Sequence, residues 1–265
     1  MDSPPTALAR SRDLTDLAGP RYLFVEHRLG PGGELPLRMH PSDHRTFLVI
    51  EGSVLLEQPG PSGQERSRGY RRLEGWHATP ASVYRCRNVG AADALVLEAG
   101  SAAGGPRPAE PAAGEPCLDR SGYTVRKPWG HEIWYTENLP DPGYAVKQIH
   151  MRAGHRSSLQ SHRRKAETNF VIEGEATVIN GAPAPADVGL TVHVAALPLL
   201  ARPAGTGWSS APNVLHRVIA NSAYTAIEVS TPELDDVIRW DDDTGRSHGR
   251  IEAEHNRAEP EGSGR

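Results

Sequence analysis

One block of sequence occurs twice in this chain, and the repeat limits what it can fold into more than any other feature. The stretch HPSDHRTFLVIEGSVLL aligns with HRRKAETNFVIEGEATV when Gly52 is laid on Gly174. His40 then falls on His162, each twelve residues before its glycine. The shared Val-Ile-Glu-Gly reads as an apolar strand that ends in a tight strand-to-strand turn, where glycine reaches backbone conformations other residues resist. The same spacing in two halves predicts two copies of one kind of domain.

The segment between the copies supports that division. GSAAGGPRPAEPAAGEP, residues 100–116, is small, Pro-rich and too poor in large apolar residues to bury a core, so it reads as a linker. The 265 residues then divide into a flexible N-terminus (1–19), a first body (20–100), a linker (101–120), a second body (121–246) and a polar tail expected to be disordered (247–265). Both bodies carry β-branched and apolar runs bounded by Gly and Pro, such as YLFVEHRL, DALVLEAG, TNFVIEGEATVING and YTAIEVS. No long segment has helical periodicity, so the expected class is all-β.

Composition removes several functions. A net charge of −4 without a long basic tract gives nucleic acid no obvious footing. Cys86 and Cys117 lack CxxC spacing, which suits a reducing compartment and argues against a zinc ribbon. The chain has no run of about eighteen apolar residues and no apolar leader near Met1, so a cytoplasmic protein without membrane spans is expected.

Chemistry concentrates in LQSHRRKAETNF. Gln160, His162 and Arg164 are two residues apart, so a regular strand turns all three to one face. Gln160, His162 and Glu167 look like metal ligands on paired strands. Lys147 shares strand parity with Ile149 and Met151 and is a candidate for substrate charge or proton transfer; a lysine extending to solvent at a barrel rim is the alternative.

The second body resembles the cupin superfamily, specifically its type II phosphomannose isomerase-like branch. The likeness rests on KPWG (Lys127 to Gly130), GHRSSLQSH (Gly154 to His162), Glu167, VIEG, PNVLHRVIAN and TPELDDVIRWDDDTGR. The first body resembles a more diverged cupin. The resemblance implies a bicupin, two small antiparallel jelly-roll β-barrels joined by the Pro/Ala/Gly-rich linker. Barrels of this type often pair through their sheets, which implies a homodimer.

Cupins of this branch carry His-x-His, a later Glu and a distant His as metal ligands. His162, Glu167 and His216 match three of these positions, and Arg164 stands at the fourth, where a protonated guanidinium cannot coordinate a cation. Type I phosphomannose isomerases are similar in using a Gln-x-His strand, so the site reads as rebuilt from Gln160, His162, Glu167 and His216. Such a set suits one divalent ion, Zn, Fe, Mn or Ni, with a position left for water or substrate. Arg164 would then meet a substrate phosphate or carboxylate. The competing reading is a retired barrel in which Arg164 pairs with Glu167. His216 departs from the family's Pro-x-Gly-x-x-His, and a one-residue slip would turn it outward.

In the first body His40 is kept, but Arg45 stands where Glu167 stands in the second, and the distant histidine falls on Tyr84 or Arg85. No metal is expected there, and its role reads as structural. Residues 182–207 are long for this family and form either a hairpin over the barrel mouth or a loose insertion. The resemblance implies a metal-dependent enzyme for a small polar or anionic metabolite, most like a sugar-phosphate isomerase. Alternatives are a non-haem iron oxygenase, a metal-assisted lyase, or a non-catalytic small-molecule-binding bicupin.

Overall fold

The computed structural model describes residues 9–40, 43–60, 64–102, 107–108, 118–119, 123–137, 139 and 143–255. The chain divides into two compact units, the first built mainly from residues 21–121 and the second from residues 15–20, 122–139 and 144 onward. Among the described residues each unit holds one six-stranded and one five-stranded antiparallel sheet. In the second unit the six-stranded sheet runs Tyr123–Lys127, Gly130–Trp134, Ala145–Met151, Tyr224–Ser230, Glu167–Glu173, Gly207–Ser210. Its five-stranded sheet runs Leu199–Pro203, Glu175–Pro183, Val214–Ala220, Leu159–Ser161, Ile238–Asp241. Apolar side chains of both sheets, among them Ile149, Val171, Val178, Trp208 and Val218, share one buried cluster.

The repeated Val-Ile-Glu-Gly has a different job from the hairpin turn its sequence suggests. Arg45–Glu51 and Glu167–Glu173 lie in the six-stranded sheets, while Ser53–Pro59 and Glu175–Pro183 lie in the five-stranded ones. Gly52 and Gly174 are thus the corners where the chain changes sheet, each just after a register shift in the preceding strand. Both have positive φ, +69° and +74°. A Cβ on Gly174 would lie 1.9 Å from the Ala223 carbonyl oxygen, and one on Gly52 would lie 2.7 Å from that of Asp93. The left-handed conformation alone costs a non-glycine residue about 1–2 kcal/mol. Gly174→Ala is therefore expected to lower the urea midpoint more than Gly52→Ala, because backbone must move to relieve the closer clash. Equal losses at the two corners would refute this account.

The first unit spends its interior on packing. Phe47 stacks on Trp76 at 4.8 Å between ring centroids, and Tyr84 meets Phe47 edge-on at 5.5 Å. His40 Nε2 lies 2.6 Å from the Tyr84 hydroxyl, and burial pushes its pKa down to about 4. Arg45 is fully buried, donating to the Ser101 carbonyl at 2.9 Å and lying 3.5 Å from Glu98. Glu98 also meets His27 at 2.8 Å and Arg38 at 3.1 Å.

Several boundaries differ from those read in the sequence. Residues 10–13, expected to be flexible, form an edge strand on Tyr22–Leu29, with Arg12 donating to Glu26 at 2.5 Å. Within the linker, Arg107–Pro108 pairs with Glu34–Met39 and Leu118–Asp119 with Gly75–Ala78. Residues 247–255 of the polar tail are folded onto the second unit: Glu254 accepts from Lys127 at 2.8 Å and Arg246 at 3.2 Å, and Glu252–His255 forms a helical turn. Polarity predicted disorder there, but these charges have specific partners. In the 182–207 segment, Leu199–Pro203 pairs with Glu175–Pro183, and Val192, Val194 and Leu197 pack on Leu159, Ile179 and Leu215. None of it lines the cavity described below. Cys86 is buried and free, and Cys117 lies outside the described residues. Among the described residues no helix is long and apolar enough to cross a membrane.

Candidate metal centre

Two rows of side chains line the interior of the second barrel, one from each sheet. Strand pairing places Gln160 opposite His216 on one side and opposite Arg239 on the other. In the six-stranded sheet, Trp134, Lys147, Glu228, Asn169 and Trp208 lie across from one another in successive strands. Directly opposed residues in antiparallel strands share a face, so each row projects as a unit. Both rows border one cavity of about 110 Å³.

His162, Glu167 and His216 meet in that cavity, all buried, each with a donor atom within 4.8 Å of the others. Glu167 is central. Its Oε1 lies 3.2 Å from His216 Nε2 and its Oε2 lies 3.5 Å from His162 Nε2. The far ring nitrogens are both anchored on carbonyls: His216 Nδ1 donates to Val214 O at 3.0 Å, and His162 Nδ1 donates to Asp236 O. A proton held on Nδ1 leaves the Nε2 lone pair of each ring directed toward the cluster. Burial pushes the His216 pKa down to about 4, which keeps the ring neutral. His162 Nε2 has no hydrogen-bond partner among the described residues although it is buried.

Gln160 is present but turned. Its Oε1 accepts from Ser158 Oγ at 3.0 Å, and its amide nitrogen faces His216 Nε2 at 3.2 Å. The amide oxygen expected as a ligand therefore points to Ser158, and a 180° rotation of the amide would bring it to the cluster.

Arg164 does not enter the barrel. The strand expected to carry it inward stops at Ser161, and the chain turns before re-entering the other sheet at Glu167. Asp236 shapes the turn: its Oδ2 accepts the backbone N–H of Arg164 at 2.5 Å and of Lys165 at 3.1 Å. The Arg164 side chain is 65% exposed, with Asp235 3.9 Å away. Neither its pairing with Glu167 nor its contact with substrate stands. Arg164→Ala is expected to change stability by no more than about 0.5 kcal/mol, as for other exposed side chains. A loss above 2 kcal/mol in denaturant titration would contradict that placement.

Lys165 takes the inward position. Its ammonium donates to Glu167 Oε2 and, at 2.9 Å, to Glu228 Oε1. Burial alone would lower its pKa, but Glu167 and Glu228 outweigh it and hold the value above that of an ordinary lysine. Lys147 is also buried, 2.9 Å from Glu228 Oε1 and 4.9 Å from the centre of the Trp134 ring, so its inward parity holds and the rim reading does not. Glu132 lies 3.9 Å from Lys147 and 3.5 Å from Lys127. Burial would raise the Glu132 pKa, but Lys147 and Lys127 bring it down to about 2. Alternating charges thus run from Glu167 through Lys165, Glu228, Lys147, Glu132 and Lys127 to Glu254. Among the other histidines, His131 and His150 lie 5.0 Å apart between centroids with their planes tilted by 32°, and His155 donates to the Ala153 carbonyl.

No family model and no curated protein matches the sequence. Solved structures do match. Oxalate decarboxylase from Bacillus subtilis, described with Mn(II) centres, superposes with a TM-score of 0.62 at 11% identity, over 87% of this chain and 74% of that one. The Lactobacillus farciminis oxalate decarboxylase formate complex gives 0.61 at 11% identity, over 88% and 86%. Procruciferin, an 11S globulin from Brassica napus, gives 0.58 at 12% identity, over 79% and 76%. The chain has the bicupin fold. Such a scaffold carries oxalate decarboxylases and an 11S globulin alike, so the function of this bicupin rests on its own side chains.

Those side chains fit a metal ion. Two atoms bound to one ion at about 2.1 Å lie roughly 3 Å apart, close to the 3.2 Å and 3.5 Å separations around Glu167. His162, His216 and Glu167 would hold the ion, and Lys165 would be the outer partner that orients the ligating carboxylate.

Proposed function

We propose that the second barrel of this bicupin is the active centre of a metal-dependent enzyme for a small anionic metabolite. The observation that carries the reading is the convergence of two lone-pair-bearing Nε2 atoms on one buried carboxylate, each ring locked through Nδ1 to a backbone carbonyl. What sets His162 apart is its surroundings: its unpartnered Nε2 lies 3.5 Å from a buried carboxylate that a second neutral imidazole also meets, an arrangement that a shared cation would satisfy.

A bound divalent ion would polarise a substrate carbonyl or hydroxyl as a Lewis acid. The protein supplies the rest. Lys165 and Glu228 fix the Glu167 carboxylate, and Lys147, held between Trp134 and Glu228, places a buried positive charge beside the cavity. Positive charge at that position stabilises an anionic oxygen as it develops, which suits proton transfer between adjacent carbons of a hydroxy-carbonyl compound. Trp129, Trp134 and Trp208 line the same space and limit water. This is isomerase-type chemistry.

The test is reconstitution of purified protein with Mn(II), Fe(II), Zn(II) or Ni(II), elemental analysis, and turnover assays. Substrates are aldose and ketose phosphates of three to six carbons, and oxalate as the representative small diacid, with and without oxygen. One equivalent of metal with oxygen-independent interconversion of aldose and ketose supports the proposal. Carbon dioxide release from oxalate would move the chemistry to decarboxylation, and oxygen consumption would move it to oxygenation. No retained metal under any loading condition refutes the metal centre.

A further inference from the structure

The cations lining the cavity are not equally satisfied. Lys127, Lys147, Lys165, Arg246 and Arg250 each have a carboxylate within 4.0 Å. Arg239 has none among the described residues. Its Nη1 donates to the backbone carbonyls of Ser247 and, at 2.8 Å, Gly249, while its Nε is buried without a partner. Two carbonyls hold the guanidinium in place, but they do not neutralise it. A half-buried cation in that state gains from an incoming anion. Burial and the neighbouring Arg246 push the Arg239 pKa down, while Asp242, Glu254 and Glu132, none of them in ion-pair contact with it, act in the opposite sense without overcoming that shift.

Its position is equally pointed. Arg239 lies across from Gln160, and Gln160 across from His216, so guanidinium, amide and imidazole form one row along the five-stranded sheet. Two strand spacings, roughly 10 Å between backbones, separate Arg239 from His216. The cavity between them, about 110 Å³, is smaller than the roughly 150 Å³ cavity that admits benzene. The space between the two groups therefore takes a short ligand segment of a few non-hydrogen atoms.

We propose that Arg239 is the anion anchor of this site and that its ligand is a short bifunctional oxyacid. The carboxylate or phosphate group sits on the guanidinium. A hydroxyl, carbonyl or second acid oxygen a few atoms away reaches His162, Glu167 and His216. The far end of this ligand rests on the metal reading above; the anchored end does not. The guanidinium fork that the sequence placed at Arg164 is thus supplied from a strand some seventy-five residues later.

Calorimetric titration of the chelator-treated and the metal-loaded protein tests this. The probes are glycolate and oxalate for the carboxylate arm, glycolaldehyde phosphate and inorganic phosphate for the phosphate arm, and neutral ethylene glycol as control. Wild type, Arg239→Gln, Arg239→Lys and His162→Ala are compared, with metal content and thermal midpoint recorded for each. The expected result is that at least one oxyacid binds wild type and that Arg239→Gln weakens it tenfold or more. Arg239→Lys should recover part of the affinity, metal content should not change, and ethylene glycol should not bind. The arm that shows this dependence identifies the acid group. Arg239-dependent binding that persists in metal-free His162→Ala keeps the anchor even where metal binding fails. Oxyacid affinity unchanged in a folded Arg239→Gln, or no oxyacid binding by wild type in either state, overturns the anchor while leaving the metal centre to its own test.

Discussion

Replacing Lys165 by methionine is expected to destabilise the second barrel by about 3–5 kcal/mol at neutral pH, the range for removing one partner from a buried ion pair. Methionine keeps most of the side-chain volume, so the loss is chiefly electrostatic. Lys165 is in contact with both Glu167 and Glu228, and without it two carboxylates face each other across the cavity. The pH dependence separates this cause from a packing defect. In the wild type, burial would raise the Glu167 pKa, but Lys165 and His216 overcome that and hold it well below 4.5. Its contribution to stability is therefore present above the unfolded value and is lost as pH falls through the folded one. In the variant, burial dominates and the folded value rises above the unfolded one. The deficit should then be largest near pH 7.5 and shrink toward pH 4, as the folded state takes up protons that the unfolded state does not. Urea titrations across that range, with and without divalent metal, measure it. Added metal should restore part of the loss by replacing the missing positive charge. A deficit constant with pH and indifferent to metal would show that Lys165 only fills space.

The second large effect concerns the imidazoles. His162→Ala or His216→Ala is expected to leave almost no divalent metal on the protein after dialysis. The loss of affinity should exceed the 10–100-fold typical of removing an outer partner. Gln160→Ala should be milder, because its amide nitrogen, not its oxygen, faces His216. Competition against a coloured chelator ranks the three variants. Full metal retention by both histidine variants would place the ion elsewhere. A Gln160→Ala loss equal to theirs would show that the amide rotates and ligates.

Much of the architecture was legible because strands buried on both faces announce themselves as apolar runs, and because the spacing from His40 to Gly52 recurs from His162 to Gly174. The sheet change at those glycines was not legible, since a corner and a hairpin ask the same backbone freedom of glycine. At the site, His162, Glu167 and His216 lie together in one cavity, while Gln160 lies beside them with its amide oxygen turned to Ser158. Arg164 was misplaced because strand parity was carried past Ser161, where the strand ends. Counting backward from Glu167 would have found Lys165, which shares its alternation with Glu167 and Asn169. Glu132, Glu228 and Arg239 gave no local signal. Their places depend on register between strands far apart in sequence, as in the pairing of Lys147 with Glu228 and of Gln160 with Arg239.

Asp236 has a consequence for biosynthesis. Its carbonyl aligns the His162 ring, and its carboxylate ties the reversal that turns Arg164 out and Lys165 in. Because translation delivers this residue more than seventy positions after His162, a nascent chain that has exposed His162, Glu167 and even His216 still lacks the group that aims the first of them. Any ion capture that depends on an aimed His162 would thus wait until the strand that follows Asp236 has emerged from the ribosome.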